Sequence, residues 1–130
     1  MKTDRPTVGR KGEQEACEYL TRLGHKILAR NWRGGHLELD IITLLGRELH
    51  IVEVKSRTAP VMAEPQRNVG RTKQQRLVAA AQAFIHSDER KNLPADLEIF
   101  FDIVSVVFFG AGADFAVDYF PKAFIPLYAR

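Results

Sequence analysis

The chain has 130 residues, 45% of them hydrophobic and 27% charged, with a net charge of +3. That length and balance predict one globular domain with a sizeable core, and they exclude a disordered chain. The lone cysteine, Cys17, excludes an intramolecular disulfide and zinc sites built on two or four cysteines.

Met1 to Pro6 has no apolar signal core, and the longest mostly apolar stretch, Ile103 to Ala113, is too short to span a bilayer. A cytoplasmic protein is expected. Charge is unevenly placed: net +4 over residues 1–33, −3 over 34–54, +5 over 55–76 and −3 over 77–130. Basic blocks attract a polyanion, and an acidic island between them suits metal ions held against it. Chance produces such segments about as readily.

Residues 1–8 are expected as a loose tail. A helix follows over 10–24, where Ala16, Leu20 and Leu23 recur at helical spacing and Gly24 stops the run. His25 to Trp32, His36 to Leu45 and Glu48 to Ser56 read as strands. Residues 58–70 hold Pro60, Pro65 and Gly70 and read as a long loop. Thr72-Lys73-Gln74-Gln75 fits a capping box. Leu77, Val78, Ala81, Phe84 and Ile85 then give the second helix one apolar face through Ser87. Leu97 to Phe109 reads as a central strand, residues 110–113 as a turn and Asp114 to Phe120 as a last strand. The apolar tail from Pro121 is expected to pack down. The order α-β-β-β-α-β-β predicts an α/β fold with a mixed sheet and helices on its faces.

Leu45-Gly46-Arg47-Glu48 fits a two-residue hairpin with glycine first. That turn pairs Leu44 with Leu49 and Ile42 with Ile51. Asp40 then faces Glu53, and Glu38 faces Lys55, all on one side of the hairpin. Leu39, Ile41, Val52 and Val54 take the other side. Opposed carboxylates repel and lose solvation, and a divalent cation removes both costs. Lys55, two residues after Glu53, points at the same place and suits a water or a phosphoryl group. The plainer reading is a solvated sheet end with Lys55 paired to Glu38.

Glu13 falls at the edge of the first helix's apolar stripe, where it can face the sheet or simply favour the helix N-terminus. Asp102, inside the run Ile99 to Val104, is assigned a structural role. Arg57 shares the face of Lys55, and Arg67, Arg71, Lys73 and Arg76 flank the second helix's start. Arg10, Lys11, Arg30 and Arg33 add further positive charge. These suit a phosphate backbone or an ordinary solvated face. Trp32 suits base stacking less than a core or capping position. The four histidines lack ligand spacing. Cys17 reads as core rather than nucleophile.

Asp40, followed after twelve residues by Glu53-Val54-Lys55, resembles the PD-(D/E)xK nuclease motif. The wider pattern resembles the YraN-type bacterial family. It comprises Gly12-Glu13-Gln14-Glu15-Ala16, Asn31-Trp32-Arg33, Glu38 to Ile42, Val52 to Arg57, Lys73 and Phe101-Asp102. That family is similar to archaeal Holliday-junction resolvases. The resemblance implies a restriction-endonuclease-like core, a central mixed five-stranded sheet flanked by helices. It places metal-binding acids at Asp40 and Glu53, a catalytic lysine at Lys55 and an inward role at Glu13. The family's usual Arg before Phe-Asp is Phe100 here, and Leu39 stands where the motif has Pro.

The expected activity is cleavage of nucleic acid, DNA rather than RNA, branched or flapped forms included, with Mg²⁺ or Mn²⁺. Asp40, Glu53 and Glu13 hold the metal, Lys55 assists water attack, and Glu38 supports the site. Arg57, Arg71, Lys73, Arg76 and Arg33 hold the backbone. The alternative is a nucleic-acid-binding accessory module of the same fold, and the third reading is a purely structural protein. A homodimer is implied only by analogy with resolvases.

Overall fold

The structure, a computed structural model, describes residues 5–59, 69–110 and 114–124. Its elements are α1 (Arg5–Arg22), β1 (Lys26–Gly34), β2 (Leu37–Leu45), β3 (Glu48–Thr58), α2 (Arg71–Ile85), β4 (Glu98–Phe108) and β5 (Phe115–Phe124). A short 3-10 turn, Asp88–Asn92, lies between α2 and β4. The five strands form one sheet in the order β1-β2-β3-β4-β5. Neighbours are antiparallel except β3 and β4, which are parallel. A parallel pair needs a crossover, and α2 supplies it. The expected mixed five-stranded sheet with flanking helices is present.

Each helix covers one face. Ala16, Cys17 and Leu20 of α1 pack on Ile41, Val52, Val104 and Val106. Leu77, Val78, Ala81 and Phe84 of α2 pack on Leu39, Ile42, Leu49, Ile51, Phe101 and Ile103. The interior strands are therefore apolar on both sides, as double coverage requires. Trp32 lies edge-on to Phe84, and its indole N–H donates to Glu89 Oε1 at 2.8 Å, so it caps this layer.

α1 crosses β3 with no room for a side chain at Gly12. A Cβ there would sit 1.7 Å from Ser56 Oγ and 2.7 Å from Ser56 Cβ. Rotating the hydroxyl relieves the first clash but not the second. Gly12→Ala is expected to cost about 1–3 kcal/mol by overpacking. A thermal melt tests this, and an unchanged midpoint contradicts the close crossing.

Several expectations are corrected. The helix begins at Arg5, so residues 5–8 are not a tail; Pro6 suits a first turn, whose N–H groups lack helical partners. Residues 1–4 lie outside the described residues. The capping box is absent: α2 starts at Arg71, its N-cap is Gly70, and no side chain caps it. Thr72 is already helical, and Gln74 Nε2 donates instead to the Val69 carbonyl at 2.8 Å. β3 runs on through Thr58 and β5 through Phe124, each beyond its expected end. The rest of the expected loop, 60–68, and the tail at 125–130 fall outside the described residues, as does most of the 110–113 turn.

The hairpin register holds from Leu45↔Glu48 to Ile41↔Val52. Gly46 adopts φ +60°, the left-handed region that a glycine-first turn requires. Beyond Ile41 the alternation fails. Leu39 joins Ile42 on the α2 side, not Ile41 on the α1 side. The irregularity falls opposite Asn31, which lies between the pairs Arg30↔Ile41 and Trp32↔Leu39 at φ +50°. Asn tolerates that conformation better than most residues. The residue this irregularity re-aims is Asp40.

Candidate functional site

The β2–β3 ladder's last pair is Ile41↔Val52, and a side chain takes over the next donor. Asp40 Oδ2 accepts the Val54 N–H at 2.9 Å. The carboxylate therefore lies against the β3 backbone, beside Glu53. Burial pushes the Asp40 pKa up to about 8, the Glu53 charge adds to the rise, and Glu13 contributes a smaller share. The Val54 N–H opposes the shift without cancelling it. Burial and the neighbouring Glu53 charge thus both favour the protonated form of Asp40, and a bond to Glu53 favours it further. Two carboxylates sharing one buried site cannot both ionise cheaply, so one of them takes a raised pKa.

Glu53 is buried, and Lys73 of α2 brings its ammonium to 3.0 Å from Glu53 Oε2. Lys55 stands half-buried on the same face, two residues along β3. Glu38 is in register with Arg33 of β1, which engages its carboxylate at 3.3 Å. Both groups are mostly exposed, so Glu38 lies at the rim rather than inside. Arg71 and Arg76 are exposed on α2. A cleft of about 420 Å³ is lined by His36, Leu37, Glu38, Lys73, Arg76 and Leu77. It adjoins the carboxylates through Lys73. Arg57 continues the β3 face beyond Lys55.

Among the described residues, no group of three or more His, Cys, Asp or Glu is placed to hold a metal ion. Glu13 acts on Asp40 through its charge, as the smallest of the causes that raise the Asp40 pKa. The Asp40–Glu53 pair still fits Mg²⁺ or Mn²⁺. Mg²⁺ commonly takes one or two carboxylates and fills its other positions with water and substrate phosphates.

Sequence reasoning missed a second polar cluster, at the opposite end of β3. His50 is buried between two acids, with Nδ1 2.6 Å from Asp102 Oδ2 and Nε2 2.9 Å from Glu48 Oε1. Asp102, 1% exposed, also accepts the Tyr119 hydroxyl at 2.5 Å and the Lys122 N–H at 2.9 Å. Burial lowers the His50 pKa, but its bonds and charges from Asp102 and Glu48 outweigh that and raise it. Burial, Asp102 and Glu48 raise the Tyr119 pKa, so the phenol stays a neutral donor. His25 packs 4.8 Å from the His50 ring and meets Thr43 Oγ1 at 2.6 Å. Burial and His50 hold its pKa below the ordinary value. Phe100 lies against His50, and the Lys122 ammonium sits 4.4 Å above its ring. The cluster ties β3, β4 and β5 together. Its assembly depends on the parallel β3–β4 register, which no local spacing shows. Cys17 is buried, and burial pushes its thiol pKa up, as a core role requires.

No helix among the described residues is long and apolar enough to cross a membrane. Comparison with known proteins finds relatives over most of the chain. A UPF0102 protein of Bacteroides thetaiotaomicron is 40% identical over 119 residues, covering 92% of this chain and 93% of the relative. One from Parabacteroides distasonis is 38% identical over 117 residues, covering 90% and 91%. One from Nitratidesulfovibrio vulgaris is 46% identical over 81 residues, covering 62% of this chain and 60% of the relative. The model of the uncharacterised protein family UPF0102 matches residues 12–106, a span that takes in Glu13, Asp40, Glu53, Lys55 and Lys73. The chain therefore belongs to that family, the YraN-type family whose pattern its sequence carries.

Proposed function

We propose that the protein is a metal-dependent nuclease acting on DNA, with its centre at Asp40, Glu53 and Lys55. The observation that carries this reading is the buried carboxylate pair: Asp40 is held against β3 by the Val54 N–H beside buried Glu53, and burial, then the Glu53 charge, raise its pKa. Folding does not favour such a pair, and a divalent cation compensates it. The bound cation supplies Lewis acidity at a phosphoryl oxygen and lowers the pKa of a coordinated water.

This chain's own groups do the remaining work. Asp40 is oriented by the Val54 N–H, which its Oδ2 accepts, and it also bonds Glu53. Asp40 and Glu53 would hold the cation, and Lys73, which pairs with Glu53 at 3.0 Å, lines the cleft together with Arg76. Lys55 donates to the attacked phosphate, stabilising charge as it develops. Arg71 and Arg33 extend the positive field for the backbone.

One observation favours the accessory-module reading. Lys73 already neutralises Glu53 at 3.0 Å, which suits a protein that binds the polyanion without metal. Cleavage of labelled single-stranded, duplex, flap and four-way-junction DNA with Mn²⁺ separates the two. Wild type is expected to cut at least one form, and Lys55→Ala to bind the same form uncut. Binding by wild type with no cutting of any form overturns the nuclease reading.

A further inference from the structure

Arg57 is oddly placed for a surface cation. Its Nε and Nη2 are buried and make no hydrogen bond among the described residues. These two nitrogens form one edge of the guanidinium, the edge that grips two oxygens of a phosphate or carboxylate at once. Burying such a fork unpaired is costly, and a folded protein rarely leaves one without reason.

Among the described residues no acceptor meets this fork. The parallel register pairs Glu53 with Ile103, Lys55 with Ser105 and Arg57 with Val107. Ile103 packs on the α2 side, so this row faces the same way as the carboxylate pair. Ser105, fully buried beside Lys55, also has an unpartnered hydroxyl. The nearby acids are engaged, Glu53 by Lys73 and Asp40 by the Val54 N–H. Arg57 as a whole is half-buried, so part of the residue reaches solvent.

We infer that Arg57 is a receptor for a second phosphoryl group, next to the one that Lys55 meets. The inference rests on the nuclease reading for the place of the first phosphate. Residues two apart on a strand are separated by about 6.7 Å, comparable to consecutive phosphates of an extended single strand. The fork takes paired non-bridging oxygens, either of an internal diester or of a terminal monoester. The preferred substrate thus carries a charged phosphate on one fixed side of the cut.

The test is a binding titration without divalent metal, using wild type and Arg57→Gln. The probes are a fluorescent single-stranded oligonucleotide and the same strand with one neutral methylphosphonate linkage, moved position by position. Wild type is expected to lose about tenfold in affinity at one linkage, and Arg57→Gln to be weak throughout and insensitive there. A second arm compares 5′-phosphate with 5′-hydroxyl ends. A gain on phosphorylation confined to wild type assigns the fork to a terminal monoester. Melting is measured alongside, and Arg57→Gln is expected to be at least as stable as wild type. Equal losses in both proteins in every arm, or a lower melting point for Arg57→Gln, overturn the inference. Cutting is not read here. The nuclease reading fails separately, when wild type binds but cuts none of the single-stranded, duplex, flap and four-way-junction forms with Mn²⁺.

Discussion

Asp102→Ala is expected to destabilise the protein by about 3–5 kcal/mol, the largest loss from any single change considered. The substitution removes one acid and strands three donors: the His50 ring, the Tyr119 hydroxyl and the Lys122 N–H. His50 then keeps only Glu48, at the edge of the cluster. Chemical denaturation at neutral pH measures the loss. A change below about 1 kcal/mol contradicts the network.

The same cluster gives a pH dependence with a defined sign. The folded pKa of His50 lies above its ordinary value of 6.5, so the folded state holds this proton more tightly than the unfolded chain. The resulting stabilisation is complete below pH 6.5 and is lost as pH rises through the folded pKa. His50→Gln should be less stable at acid pH, and its stability should change less across that window. Denaturation midpoints at several pH values, for both proteins, check this.

Asp40→Asn is expected to act in the opposite direction. In chelator at pH 7 it should stabilise the protein by about 2 kcal/mol. The amide oxygen can still accept the Val54 N–H, and the amide N–H can still donate to Glu53, without a proton having to be taken up. Folded wild type holds the Asp40 proton to about pH 8, whereas the unfolded chain releases it near 3.8. Wild-type stability therefore falls as pH rises between those values, and the advantage of Asn grows over the same range. A destabilised Asp40→Asn would mean that the pair is held by bonds worth more than its repulsion. Stability gained by removing a site residue is the usual mark of a site kept for function.

How much of this was legible in the sequence follows from how local each determinant is. The turn at Gly46 fixes the β2–β3 register, and four residues sufficed to place Ile42 against Ile51. The same counting misplaced Leu39, because the left-handed backbone at Asn31 lies on a different strand. Asp40 and Glu53 still come together, through the Val54 N–H rather than as a regular rung. Glu38 was placed against Lys55 by extending that regular ladder, and its observed partner, Arg33, belongs to β1. The Lys73–Glu53 pair depends on how α2 lies across the sheet. The His50 cluster needs three strands in register at once. Side chains joined by one turn were readable, and those joined by the crossover were not.

The central claim is that Asp40 and Glu53 form a divalent-metal centre. Calorimetric titration of Mn²⁺ into wild type and Asp40→Asn at pH 7, in two buffers of different ionisation enthalpy, tests it most directly. The account predicts one site in wild type, with about one proton released on binding as Asp40 ionises, and no such site in Asp40→Asn. Equal Mn²⁺ affinity in the two proteins, or no binding to wild type, would contradict it.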